Sequence, residues 1–414
     1  MKLAPGTPLM IGLLLNEGEP SSPIGRLAMA GGLAQLEWSG AAIEERRRID
    51  PLLYPPEPGL QAARGRDFDG LHGFLADSLP DAWGRLLTKR RLEKLGVRLE
   101  TLTAVDRLAL VGSGGRGALV YQPATTPAEE IGAIDLDALA EQSQVLLLGE
   151  DTDLIDTLAR LGGASGGARP KVSIGIAADG TLSQNAAADG HDEWIVKFRA
   201  TTDPVDIGPV EEAYARMARA TGIDMAQSRL LPARDGPGYF ATRRFDRPSL
   251  GRRLHMVSLA GALEALPDVP SIDYDGLLRA TAAITRHAGD VERAFRRMVF
   301  NVLAHNRDDH TRQHSYLMGA DGEWRLAPAY DLTFSNGPGG EHYLAVEGEG
   351  RAPTRGQVMT LGRRHGLSDR TIAEIIDAVR DALADWPRAA AEVGVTASRA
   401  EIGERLAHTA AVFG

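Results

Sequence analysis

The chain has 414 residues, a formal net charge of −10 and no cysteine. Disulfides, thiolate metal sites and cysteine nucleophiles are excluded, and the acidic balance argues against nucleic-acid binding over the whole surface, though not against a local basic patch. Hydrophobic residues make up 43% and charged residues 25%, as in a globular protein with room for two or three domains. No stretch approaches the roughly 20 apolar residues of a membrane span, and the expected location is the cytoplasm.

In chain order, Met10 to Leu15 and Ile24 to Ala28 predict strands around a Glu17-Gly18-Glu19-Pro20 turn. Pro51, Pro55, Pro56 and Pro58 mark an extended connection. Asp77 to Asp81 reads as a helix start, followed by the apolar stripe Trp83, Leu86, Leu87 and Leu92. Arg85, Lys89, Arg90, Arg91, Lys94 and Arg98 make that segment basic, as a solvated face or a surface for an acidic partner or DNA. Leu108 to Val111 reads as a strand entering the glycines 112 to 117, with Ala118 to Tyr121 returning from them. That pattern predicts a hairpin, since a dinucleotide fingerprint needs a helix after the glycines. Ala138 to Leu148 predicts a helix in an acidic stretch.

A second glycine-rich stretch, Gly162 to Lys171, contains Gly166 and Gly167 and runs into a strand, Val172 to Ile176. It suits a phosphate cradle with Arg169 and Lys171 as added charge, or a flexible linker. In the strand Glu193 to Phe198, Trp194, Val196 and Phe198 point one way, with Ile195 and Lys197 opposite. A lysine in such a strand needs a partner or a ligand. Pro209 opens a helix with Glu211 and Glu212 in its first turn, where the helix dipole alone would favour carboxylates. Tyr239 to Thr242 is a further strand, leading into Arg243 to Pro248.

From there the pattern turns helical: Val257 to Leu266, Tyr274 to His287, and a helix capped by Asp290 with Phe295, Met298, Val299, Val302 and Leu303 on one face. Nearer the C-terminus Ser368 caps another helix, and Ser398 with Glu401 predicts a capping box. The central polar run is Asn306-Arg307-Asp308-Asp309-His310. A hairpin of Ser315 to Met318 and Trp324 to Leu326 follows and ends at Asp331. Folding it brings Asp331 near Asp308, so that two carboxylates, an imidazole and an amide face one pocket. Such a group can hold Mg²⁺ and leave one carboxylate to take a proton. A plain polar loop with caps and salt bridges is the alternative. The β-rich beginning and α-rich end divide the chain into parts at 1–125, 126–247 and 248–414.

The order of these elements resembles the plan of protein kinases, without their His-Arg-Asp and Asp-Phe-Gly motifs. More specifically the chain resembles the HipA family, the kinase toxins of bacterial toxin–antitoxin modules. The resemblance rests on Phe74 to Gly84, Gly166-Gly167-Ala168-Arg169-Pro170-Lys171, Trp194-Ile195-Val196-Lys197-Phe198, Arg244-Phe245-Asp246-Arg247, the 306–310 run and Ala327-Pro328-Ala329-Tyr330-Asp331-Leu332. It implies an α+β, two-lobed, kinase-like fold with a β-rich N-terminal part and an all-α C-terminal lobe. It implies ATP and Mg²⁺ as cofactors, a protein substrate of the translation machinery such as an aminoacyl-tRNA synthetase, and a HipB-like antitoxin through which alone DNA would be reached, with no membrane partner.

By the same resemblance Gly166 and Gly167 belong to the phosphate loop, and Lys197 binds ATP phosphates and pairs with Glu211. Arg243 and Phe245 offer backbone groups to adenine, and Asp246 holds the ribose. Asp308 is the catalytic base with His310 beside the phosphates, and Asp331 is a metal ligand. The family's second metal ligand, an asparagine, is replaced here by Gln313, which puts catalytic rate in question. The serine whose phosphorylation silences family members is replaced by Ala164, with Ser165 alongside. Two other classes fit less of the pattern: a nucleotide-binding pseudokinase scaffold, and a phosphoesterase using Asn306, Asp308, Asp309 and His310, which leaves Lys197 without a role.

Overall fold

Alternation of apolar residues builds the first sheet. In a computed structural model of the chain, which describes residues 2–3, 7–125, 134–163, 166–184, 186 and 190–414, Leu9, Ile11 and Leu13 of β1 (Leu9–Leu13) are buried while Met10 faces out. β1 lies between β2 (Ser22–Ala30) and β5 (Leu119–Gln122), and β3 (Leu33–Trp38) and β4 (Leu60–Ala62) complete an antiparallel sheet ordered β4-β3-β2-β1-β5. The expected hairpin before β5 is not formed. Ala104–Val111 is a helix, because Thr103 and Asp106 close a reciprocal capping box at its start and Leu108 and Ala109 sit on its buried face.

The second sheet, ordered β7-β6-β8-β10-β9, holds β6 (Lys171–Ile176), β7 (Leu182–Ser183), β8 (Asp192–Lys197), β9 (Ser228–Leu231) and β10 (Tyr239–Arg243), all paired antiparallel. One face carries Val172, Ile174, Trp194 and Val196 into a core shared with Leu139, Leu158 and Leu161. Trp83 and Leu87 join that core from the helix Ala82–Lys94, so an element from the first part of the chain packs on the second sheet. The basic face of this helix is partly engaged, with Arg91 and Lys94 both paired to Asp156.

The C-terminal part is helical around a small antiparallel sheet, β11 (His255–Ser258), β12 (Ser315–Met318) and β13 (Trp324–Leu326). Val257 was expected in a helix, but its strand precedes a short helix, Leu259–Leu263, capped by Ser258. The long helix Ala288–Leu303 buries Phe295, Met298, Val299 and Val302, each contributing roughly 1.5–3 kcal/mol. Its N-cap is His287 and not Asp290. The Asp290 carboxylate lies buried in the first turn, accepting from Arg293 and from the Leu326 N–H at 3.3 Å. Ser398 likewise starts the last helix without a capping box, since its hydroxyl donates to Asp206 Oδ1 at 2.7 Å. One continuous core joins the first sheet to these helices, and the second sheet leans over it with a cleft between. Among the described residues no helix is long and apolar enough to cross a membrane.

Candidate active site

Two short bridges shape the floor of the cleft. Arg307 N–H donates to Ser335 O at 3.1 Å and Ser335 N–H to His305 O at 3.1 Å, tying the polar loop to the segment after Asp331. Ala329 N–H donates to Asp224 O at 2.6 Å, pinning the residues just before Asp331 to the segment that follows the helix Ile207–Ala220. Asp331 itself takes a left-handed backbone, φ +52°, which a non-glycine residue adopts at a cost and which turns its carboxylate towards β8. The cleft, about 980 Å³, is lined by Gly166, Gly167, Lys171, Lys197, Phe245, Asp246, Asp308, His310, Gln313 and Asp331 together with Arg116, Arg169, Arg312 and Tyr330.

Lys197 is the hub. Its Nζ lies 2.6 Å from Glu211 Oε2 and also pairs with Asp331 Oδ1. Burial draws its pKa down, but the Asp331 and Glu211 carboxylates outweigh burial and raise it, so the ammonium stays charged. Glu211 is buried, and its other oxygen accepts from Arg169 Nη1 at 2.8 Å. The helix begins at Ile207, before Pro209, so Glu211 lies beyond its first turn and a dipole effect does not explain it; the side chain bridges a strand lysine and a loop arginine. Burial raises the carboxyl of Asp331, yet Lys197 and Lys171 hold it well below the usual carboxylate range. Lys171, buried with its ammonium on the Gly166 carbonyl, is pushed down by burial to about 8.

Asp308 stands at the open side, half exposed, with burial in the cleft pushing its pKa above the ordinary 3.8. His310 Nδ1 accepts from Arg312 N–H at 3.2 Å, so the neutral ring carries its proton on Nε2, which lies 3.8 Å from Asp308 Oδ1. Gln313 ends a single 3₁₀ turn, Thr311–Gln313, and among the described residues no protein group bonds its side-chain amide. The pocket's amide is therefore Gln313 and not Asn306. Asn306 is buried, with Nδ2 donating to Asn301 Oδ1 at 2.9 Å. Asp309 also faces the core, where its carboxylate accepts from Tyr274 Oη at 2.5 Å, His342 Nδ1 at 2.8 Å and Tyr343 N–H at 2.8 Å. A phosphoesterase built on Asn306 and Asp309 loses both ligands.

At the far wall, Arg243 N–H is spent on Gln227 O at 2.8 Å, which removes that donor from any ligand, and its guanidinium pairs with Asp192. Phe245 differs. Among the described residues neither its N–H nor its C=O has a hydrogen-bond partner, and its ring tilts against Tyr330 with centroids 5.5 Å apart. Asp246 is buried, with Oδ2 accepting from Gly117 N–H at 2.8 Å, Arg244 Nη2 at 2.7 Å and Arg247 Nη1 at 2.9 Å. Among the described residues its Oδ1 takes only Arg244 Nε, at 3.0 Å, and keeps one acceptor position. Burial would raise this carboxyl, but Arg244 and Arg247 hold it well below the usual range.

The structure thus brings Lys197, Glu211, Asp331, Asp308, His310 and Gln313 to one cleft with Gly166 and Gly167 at its edge; Ala164 and Ser165 lie outside the described residues. Sequence reasoning missed Asp81, Arg116 and Arg312, which line the same cleft. Asp81 lies in the Phe74–Gly84 stretch, but nothing local shows that its carboxylate leaves its own helix. Among the described residues no cluster of three His, Asp or Glu side chains suits a metal ion. Mg²⁺ at a nucleotide site is commonly held by one or two protein oxygens and the phosphates themselves, and Asp331 with the unbonded Gln313 amide fits that donor set.

A family model described as the HipA-like C-terminal domain matches residues 163–386, and one described as the HipA N-terminal domain matches residues 20–122. No curated protein matches the chain. Among solved structures, a chain of the HipA, HipB and operator DNA complex of the Shewanella oneidensis MR-1 toxin–antitoxin system is 19% identical, with a TM-score of 0.65 over 98% of this chain and 95% of that one. The Helicobacter pylori proinflammatory kinase CtkA is 12% identical, with a TM-score of 0.40 over 60% of this chain and 90% of that one. The first shares the fold; the second is too distant to carry an argument.

Proposed function

The chain belongs to the HipA family, and from that premise we propose that it is an ATP- and Mg²⁺-dependent serine/threonine protein kinase. The observation that carries the reading is the Lys197 ammonium held between Glu211 and Asp331 on the wall of a cleft that Asp308 also lines. Phosphoryl transfer asks a protein mainly for positioning and charge neutralisation. Lys197, oriented by Glu211, supplies fixed positive charge for phosphate oxygens. Phe245 offers an unpaired backbone donor and acceptor for the adenine edge, and Asp246 Oδ1 one acceptor for a ribose hydroxyl. Asp308, with its raised pKa, accepts the proton of the acceptor hydroxyl, and His310, with Nε2 3.8 Å from that carboxylate, stands beside the phosphates. Asp331 and Gln313 would hold Mg²⁺, which when bound neutralises phosphate charge.

The substrate in this reading is a protein of the translation machinery, such as an aminoacyl-tRNA synthetase, and the regulatory partner a HipB-like antitoxin that carries the DNA contact. The absence of cysteine suits work in the cytoplasm. The replacement at Gln313 favours one second reading, a nucleotide-binding scaffold that does not turn over. Incubating the protein and labelled Mg-ATP with a bacterial lysate, then identifying the modified peptide, tests the proposal. A phosphoserine or phosphothreonine that depends on Asp308 supports the kinase; bound nucleotide without any labelled protein supports the scaffold.

A further inference from the structure

The structure assigns Asp81, in the N-terminal domain, a positioning role: its carboxylate fastens the glycine loop to the catalytic loop and sets the distance between them. The role rests on the kinase reading; the contacts do not. Asp81 is the N-cap of the helix Ala82–Lys94, yet it makes no capping hydrogen bond within that helix. An aspartate at such a position ordinarily bonds the free amides of the first turn. Here the side chain turns away, and is only 11% exposed. Oδ2 accepts from Gly167 N–H at 2.7 Å and lies 3.8 Å from Arg116 Nη1, while Oδ1 pairs with Arg312. Arg312 sits in the same turn as Gln313, just beyond Asp308 and His310.

The helix backbone grips the loop independently of that carboxylate. Trp83 N–H donates to Gly167 O at 3.4 Å and its indole Nε1 to Lys171 O at 3.0 Å. The approach is close enough to require glycine at two positions. A Cβ at Gly162 would come within 3.0 Å of the Trp83 indole nitrogen, and one at Gly84 within 2.6 Å of Pro80 Cβ besides meeting the Gly163 carbonyl. Gly167 itself has φ +88°, the left-handed region, and a Cβ there would meet the Lys171 ammonium at 2.6 Å. One carboxylate therefore ties together the loop expected to face phosphates and the loop expected to receive the acceptor proton. Neither loop bonds the other directly through the groups named here, so the N-terminal domain is the brace between them.

Hydrogen exchange on the full chain without nucleotide tests the brace, read on the 166–171 peptide. Loss of a charge-assisted bond predicts exchange of the Gly167 amide roughly tenfold faster or more in Asp81→Ala. Kinetics then test the role. Asp81→Asn keeps an acceptor for Gly167 but loses the charge that faces Arg312, so the KM for Mg-ATP should stay within about threefold while kcat falls about tenfold. Asp81→Ala should raise KM and lower kcat together, and Asp81→Glu should recover part of kcat. Unchanged exchange at Gly167 in the alanine variant, or kinetics of both variants matching the wild type, overturns the inference. Faster exchange in variants of a wild type that transfers no phosphate would support the brace and overturn the kinase reading, so the two failures are distinguishable.

Discussion

Glu211 Oε2 and Lys197 Nζ stand 2.6 Å apart, a helix-borne carboxylate and a strand-borne ammonium, both nearly closed to solvent. Because Glu211 also receives Arg169, one side chain orders both a strand residue and the glycine loop. Removing it leaves the buried Lys197 ammonium and the partly buried Arg169 guanidinium each short of a partner. Glu211→Gln should weaken ATP binding and lower transfer, together by roughly 10- to 100-fold in kcat/KM, and should lower stability by about 3 kcal/mol, the usual cost of breaking a buried pair. Nucleotide titration and a denaturant midpoint check both parts.

Asp308→Asn should reduce phosphate transfer by about 10²–10⁴-fold while ATP binding stays within a few-fold, since the carboxylate serves the acceptor hydroxyl. In the proposed role the base acts deprotonated, and burial raises its pKa, so activity should fall on acidification through a value above 3.8. A profile of kcat/KM against pH reads that limb. An acid limb at or below the ordinary aspartate value would contradict the assignment.

Asp331→Asn should weaken Mg²⁺-dependent nucleotide binding more than Gln313→Ala, because it removes a charge that also pairs with Lys197. Gln313→Asn, which shortens the amide to the length the family uses, should keep or raise kcat. A folded Gln313→Asn protein without activity would show that the longer side chain does something other than hold a metal.

Neighbouring aspartates should behave oppositely. Asp309 accepts three buried donors, and Asp309→Asn turns an amide N–H₂ against at least one of them, costing about 2–4 kcal/mol. Asp308→Asn should leave stability within about 0.5 kcal/mol. Burial opposes the charge on Asp309, but His342, Tyr274 and the Tyr343 N–H hold its pKa below the ordinary value. Its contribution is therefore present above the unfolded-state pKa and is lost as pH falls through that range. Urea midpoints of the two variants at pH 7 separate the roles.

Four buried imidazoles, His72, His255, His305 and His314, are pushed down by burial to about 4 from 6.5. They are neutral in the fold, whereas the unfolded chain takes up protons below 6.5, so stability is full above that value and lost from there down to about 4. Each ring steepens the loss by at most about 1.4 kcal/mol per pH unit. His255→Gln, which preserves a donor for the Ile49 carbonyl, should flatten the dependence of unfolding on pH across this window. An unchanged slope would show that the ring is not neutral in the fold.

Much of this arrangement is visible in local pattern. The alternation Trp194, Ile195, Val196, Lys197 places the lysine on the cleft side of β8, and the helical spacing of Phe295 to Leu303 orients the helix that delivers the polar loop. What local pattern cannot show is which of two adjacent carboxylates turns inward. Tyr274 and His342, both distant in the chain, decide that Asp309 is buried and Asp308 is not. The apolar run Leu108 to Val111 suits a strand as well as a helix, and the capping box at Thr103 decides it. Asp81 and Asp290 look like helix caps, but tertiary donors capture both. No spacing reveals the bridge between Ala329 and Met225, nor the left-handed backbone of Asp331 two residues on.

The central claim, that this cleft transfers phosphate and does not merely hold nucleotide, is tested most directly by single-turnover transfer from γ-labelled Mg-ATP, comparing the wild type with Asp308→Asn at equal nucleotide occupancy. The account predicts label on a serine or threonine of an acceptor protein with the wild type and a loss of at least about 10²-fold with the variant. Equal labelling by both proteins, or saturated nucleotide binding with no label on any acceptor, would contradict it.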